Sequence, residues 1–250
     1  MNRKDRRAEE AKTRGGAVLV KAHRSEPMWT KIHAAEAKTV NEMLAGGVDR
    51  AKVDAAMDNA IEFAAMFKDE TKTNACGDGC FYCCHQRVST TGIEIVYLAT
   101  WLRENESDEK RRTILDGLRV VVAQRAPSED GPVRCPLLSK EGSCGIYEVR
   151  PLACRSVTSA SSEPCRAWLE EGAALGRNAD PRAYTACSAV LGGLDTGAAG
   201  RGVQGGYLDF HNALMIALSD DTAIARWYAG EHVFSSATIP PAKRRLLPVL

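Results

Sequence analysis

Nine cysteines, at positions 76, 80, 83, 84, 135, 144, 154, 165 and 187, constrain this chain of 250 residues more than any other feature. None falls in the first 75 residues, and eight lie between 76 and 165. The first group reads Cys76-x3-Cys80-x2-Cys83-Cys84-His85. A metal collects thiolates at about 2.3 Å each, and a tight loop presents several without long-range folding. Gly77 and Gly79 allow the backbone to wrap with positive φ and leave N–H groups free to bond sulfur. The second group is Cys135-Pro136, then Cys144 within Gly-Ser-Cys-Gly-Ile-Tyr, then Cys154 within Arg150-Pro151-Leu152-Ala153-Cys154-Arg155. Cys165 follows eleven residues later. Buried cysteine is often mere core filler, but four thiols in nine residues, with glycines between them, do not make a packing pattern.

Compartment decides what such thiols do. The N-terminus MNRKDRRAEEAKTRGG is followed by only Ala17-Val18-Leu19-Val20 as an apolar run, too short for a secretory signal. No stretch approaches the roughly 18 apolar residues of a membrane span. A cytoplasmic location is expected, where thiols stay reduced and serve metals or catalysis. The odd cysteine count also disfavours a fully paired disulfide framework. With 33 Lys+Arg against 32 Asp+Glu, the net charge of +1 removes the electrostatic case for a nucleic-acid binder. A hydrophobic fraction of 44% suffices for a core, and 6% aromatics suits small-residue helices.

The rest of the chain reads as helical. Residues 1–29 form a charged tail. From 30 to 70, apolar residues recur at three- and four-residue spacing in two helices parted by Gly46-Gly47, with Met43, Met57 and Met66 as core filler. Thr91 and Glu94 form a capping box for a helix to about Glu104, and Ser107 caps the next, stopped by Pro127. Residues 128–160 read as loop. Pro164 and Pro181 suit helices near 163–175 and 181–192. The seven glycines between Gly192 and Gly206 read as a flexible link, with last helices near 207–218 and 221–230 and a tail over 236–250. The expected architecture is mainly α: one bundle-like helical domain over 30–235 with an irregular cysteine-rich metal-binding insert at 76–165.

Within the insert, adjacent Cys83 and Cys84 diverge, so one joins Cys76 and Cys80 while the other serves a second centre, the second group or the core. Two four-thiolate sites would use eight cysteines; one iron–sulfur cluster, [4Fe-4S] included, with structural thiols fits equally. Cys165 stays undecided as a ligand, and Cys187 reads as core. His85 is a loop residue beside a ligand, and His211 a satisfied core or surface histidine. Arg150 and Arg155 flank Cys154, where they offset thiolate charge or hold a carboxylate or phosphate. Tyr147 is expected to pack beneath the loop. The x3–x2 spacing with Tyr82 before Cys83 also matches the radical S-adenosylmethionine loop, but no repeating strand–helix pattern follows it.

The segment ACGDGCFYCCHQRVSTTGIEI, then CPLLSKEGSCGIYEVRPLACRS and Cys165, resembles the CxxCxxCC zinc- or iron-chelating domain family, the YkgJ-type cysteine cluster proteins. Its first motif has three residues between the first two cysteines where the family name implies two. The resemblance implies zinc or iron–sulfur binding by Cys76, Cys80, Cys83, Cys84, Cys135, Cys144 and Cys154. Distant relatives sharing the pattern include flagellin lysine N-methylases, which brings in S-adenosylmethionine and a protein substrate. Three functions follow as expectations: a structural or storage metal centre, an iron–sulfur enzyme using S-adenosylmethionine, and a zinc-stabilised module that binds a protein partner.

Overall fold

Proline suits the first turn of a helix because its missing N–H has no partner there anyway. The computed structural model, which describes residues 27–68, 74–77, 79–125, 131–173 and 180–240, has helix α1 (Pro27–Met43) beginning in this way. Residues 27–29 therefore belong to a helix rather than to the expected tail, and 1–26 lie outside the described residues. Gly46 (φ +77°) and Gly47 (φ +120°) turn the chain, a conformation that a side chain would strain. Asp49 Oδ1 then accepts the Lys52 N–H at 3.0 Å and starts α2 (Arg50–Ala65). Met57 is buried as expected, whereas Met66 is 77% exposed and fills no core.

Helix α3 (Gly92–Asn105) buries most of its length, and α4 (Asp108–Gln124) follows, with Ser107 Oγ accepting the Lys110 N–H at 3.2 Å. The Pro127 stop lies outside the described residues. The expected loop 128–160 contains a short helix, α5 (Leu152–Ser156), around Cys154. Helix α6 (Glu163–Glu171) ends sooner than expected, at left-handed Gly172. Strands β1 (Ser89–Thr90) and β2 (Leu208–Asp209) pair antiparallel, Ser89 with Asp209 and Thr90 with Leu208. Helices α8 (Phe210–Ser219) and α9 (Ala223–Tyr228) complete the frame. Residues 236–240 are no tail: Ile239 is buried and its N–H donates to Tyr207 O at 2.8 Å. Residues 241–250 lie outside the described residues.

The flexible link is corrected outright. Helix α7 runs Pro181–Ala199, so Gly192, Gly193 and Gly197 are buried helix residues. A Cβ on Gly193 would stand 2.6 Å from Glu36 Cβ, and one on Gly197 would stand 2.7 Å from both Ala37 O and Val40 Cβ. These glycines let α7 lie directly against α1, and Asn41 Nδ2 donates to Gly197 O at 3.3 Å across the contact. Glycine inside a helix costs roughly 1 kcal/mol against alanine. Close packing along two long helices offsets it. The shared core draws on α1 to α5 and α7 to α9, with Phe210, Trp227 and Phe234 among its largest buried side chains. Among the described helices only α6 stays outside that core, its one buried residue being Cys165.

Candidate metal centre

The two cysteine groups meet because backbone hydrogen bonds stitch their loops together. Gly79 takes φ +81° and the chain enters a 3-10 turn, Tyr82–His85, that carries Cys83 and Cys84. The Cys135 N–H donates to Cys84 O and the Val133 N–H to His85 O, each at 2.9 Å. Arg125, which the sequence reading did not single out, is buried and clamps the same junction. Its Nη2 reaches Gln86 O at 2.7 Å, Val133 O at 3.1 Å and His85 O at 3.3 Å. Further on, a tight turn between Leu138 and Cys144 is held by Gly145 N–H to Leu137 O and Ser139 N–H to Ser143 O, both at 2.8 Å. Ser159 closes the ring: its C=O accepts the Ala75 N–H at 2.8 Å and its N–H donates to Cys76 Sγ at 3.2 Å.

Glu94 does more than cap. Its Oε2 accepts from Thr90 Oγ1, Thr91 N–H and Thr91 Oγ1 at 2.9, 3.0 and 3.2 Å. Its Oε1 accepts the Leu152 N–H at 2.8 Å, at the start of the helix that presents Cys154. Burial pushes this carboxyl above the usual carboxylate range, and the bonds from Leu152 and the two threonines oppose the shift. The Cys187 thiol donates to Leu152 O at 3.2 Å, so the helix bearing Cys154 is tied at both polar groups of one residue. Cys187 is buried, as expected.

The result is a cavity of about 180 Å³ lined by Cys76, Cys80, Cys83, Cys84, Cys135, Cys144 and Cys154. Cys165 does not line it, though its charge is felt at Cys80. The charged lining residues are Lys68, Arg150 and Arg155, with no Asp or Glu among the described ones. Arg150 lies over the Tyr147 ring at 4.0 Å and Arg155 Nε donates to Arg150 O at 2.9 Å. Tyr147, expected to pack beneath the loop, is 39% exposed beside that guanidinium. His85 is not a lining residue; its Nδ1 is 3.3 Å from Phe81 O.

Crowding marks the thiols. Burial holds Cys154 well above the usual thiol range, reinforced by Cys83, Cys135 and Cys144 and opposed by Arg150. Burial pushes Cys135 up to about 12 and raises Cys76 and Cys80. Cys83 is raised first by its hydrogen bond with Cys84 and then by burial. Soft donors that resist ionisation beside one another lack positive charge, which a bound metal supplies. The donor set therefore fits zinc or iron in chemistry. Among the described residues, however, no three Cys, His, Asp or Glu side chains meet at ligating distance, so the thiols share a cavity and not a formed coordination polyhedron. The nine cysteines form no disulfide.

His211 corrects an expectation. It is buried at 1% exposure and lines this cavity, yet neither ring nitrogen has a hydrogen-bond partner among the described residues. Burial pushes it down to about 3, aided by Arg125 and Arg87. Its helical sequence context (Phe210, Ala213, Leu214) looks like ordinary core; the family resemblance extends only loosely to Phe210-His211 and does not mark the imidazole as a cavity residue.

Residues 75–173, about two fifths of the chain, match the model of the CxxCxxCC family, described as a putative zinc- or iron-chelating domain. No curated protein and no solved structure matches the chain. Among the described residues no helix is long and apolar enough to cross a membrane.

Proposed function

We propose, from the premise that residues 75–173 are a CxxCxxCC chelating domain, that Cys76, Cys80, Cys83, Cys84, Cys135, Cys144 and Cys154 together hold a polynuclear thiolate centre. This centre is either an iron–sulfur cluster or a pair of zinc ions. The observation that carries the reading is the cavity of about 180 Å³ around seven thiols, with no Asp or Glu among its described lining residues. Measured this way, one water needs roughly 10–15 Å³, so the space exceeds the needs of a single ion. Charge points the same way. Four thiolates around one zinc leave two negative charges, whereas seven around two leave three. Lys68, Arg150 and Arg155 supply three positive ones. In this reading the arginines neutralise the centre and Cys165 stays outside the ligand set.

The centre organises the cysteine loops on either side of α3 and α4, and the nine unbridged cysteines suit the reducing cytoplasm. A second reading has one specific support. The cationic wall next to the thiols, formed by Lys68, Arg150 and Arg155, would take the carboxylate of S-adenosylmethionine, making the protein an iron–sulfur enzyme acting on a protein substrate. Anaerobic purification of the full chain, with metal and sulfide analysis and a visible spectrum, tests the proposal. Iron with sulfide and broad absorption, or two equivalents of zinc in a colourless protein, is the expected result. One zinc per chain points instead to a closed interaction module, and a metal-free folded protein with all thiols titratable overturns the proposal. Calorimetric titration of S-adenosylmethionine into the loaded protein separates the enzyme reading from the storage or structural one.

A further inference from the structure

Every thiol lining the cavity comes from residues 75–173, but one nitrogen donor that lines it, His211, does not. His211 is the second residue of α8. Its position is fixed by the pairing of Ser89 with Asp209 and by the Phe210 N–H donating to Val88 O at 3.0 Å. The neighbouring Phe210 ring meets the imidazole edge-on, with centroids 5.1 Å apart. At 1% exposure the ring has no hydrogen-bond partner among the described residues on either nitrogen. Leaving a buried polar group unpaired costs about 1–3 kcal/mol. The ring stands in the wall of the same cavity that the seven thiols line.

The surroundings show which thiols it stands beside. The Phe210 N–H bond to Val88 O seats His211 beside the stretch that runs on from Cys84, and the Arg125 clamp on His85, Gln86 and Val133 O holds Cys135 at the same end of the cavity. Cys84 is joined to that end through the Cys135 N–H. A protonated imidazole facing Arg125 and Arg87 is disfavoured, which leaves the neutral ring, the form in which histidine ligates zinc and iron.

We infer that His211 supplies an imidazole nitrogen to the metal at the Cys84–Cys135 end of the cavity, making the centre a mixed thiolate–imidazole one. The ligand then comes from outside the chelating segment and couples the metal to the helical frame through α8. Added to the seven thiolates, a neutral nitrogen brings a further ligand without adding negative charge to the cavity. The inference rests on the metal-binding reading of the cavity.

The test is zinc K-edge X-ray absorption on the zinc-loaded full chain, compared with His211→Ala, His211→Gln and His85→Ala, each checked for fold by circular dichroism. The wild type is expected to show imidazole multiple scattering with a nitrogen at about 2.0–2.1 Å beside the sulfur shell. Both His211 variants are expected to lose that signal, keep sulfur scattering and bind zinc about 10–100-fold more weakly, the scale expected on losing a supporting group at a metal site. His85→Ala is expected to match the wild type. Sulfur-only scattering in the wild type overturns the inference and leaves the thiolate centre standing. So does an imidazole signal that survives in the His211 variants or vanishes in His85→Ala. Should the His211 variants not fold, the wild-type and His85→Ala spectra alone decide the matter. A wild-type chain that takes up no zinc or iron removes the thiolate centre and this inference together.

Discussion

The contact between α1 and α7 and the cavity between the cysteine groups are built on opposite principles. In the first, Gly193 and Gly197 remove side chains so that two helices touch, and burial of Val40, Leu191 and Leu194 holds them. In the second, the chain keeps its polar and soft donors and is held by a few directed bonds from Arg125, Glu94, Cys187 and Ser159. One region is stabilised by excluding water from close-packed surface. The other leaves crowded thiols that are favourable only with added positive charge. A single chain thus contains a frame that folds by packing and a segment completed by chemistry.

The comparison breaks most visibly on removing metal. Stripping it with a strong chelator, or making Cys80→Ser, is expected to lower hydrogen-exchange protection across 76–90 and 131–165 by about 100-fold or more, while amides of α1, α3 and α7 stay protected. Equal loss in both regions would mean that the frame depends on the centre. Next in size is Glu94→Ala, which strands the Leu152 N–H and strips the α3 start of its acceptor. A loss of about 3 kcal/mol in urea unfolding is expected, together with weaker metal retention, because the carboxylate serves both regions.

Gly197→Val acts on the frame alone. The added side chain overlaps Ala37 O and Val40, so about 2 kcal/mol of destabilisation is expected, equal in metal-loaded and metal-free protein. A cost that depended on metal would show the two regions to be coupled through α7. The frame also has a pH-dependent weak point. Burial raises Glu36 from 4.5 to about 7, with Asn59 Nδ2 donating to it at 3.2 Å. The folded state therefore binds more protons than the unfolded one between these values, and stability falls as pH rises from about 4.5 to 7. Glu36→Gln is expected to gain about 1 kcal/mol at pH 8 and nothing at pH 4, read from thermal melts at both. The smallest effect is assigned to Cys187→Ser, which keeps a hydroxyl donor for Leu152 O: under about 1 kcal/mol lost and full metal content.

Local signals were legible wherever the physics is local. The Gly46-Gly47 turn, the Thr91–Glu94 box, the Ser107 cap and the proline helix starts all depend on residues within one turn of each other. Cysteine spacing likewise announced a chelating set. The glycines between 192 and 206 misled, because composition cannot tell a glycine needed for backbone freedom from one needed for close approach. Only Gly202 and Gly206 have positive φ there, while Gly193 and Gly197 are helical and pressed against α1. Glu94 was legible as a cap and illegible as the acceptor for Leu152, 58 residues away.

By itself, then, the sequence determined a mainly helical chain with a thiol-rich segment and the chemistry of the donors, since periodicity, caps and ligand type are written in neighbouring residues. Tertiary structure alone decided that seven of the nine thiols line one cavity, that Arg125 and Glu94 tie its walls, and that the buried imidazole of His211 faces it with no hydrogen-bond partner among the described residues. These depend on contacts between residues far apart in the chain. No local pattern records them, because what brings them together is the packing of α3, α7 and α8 on a common core.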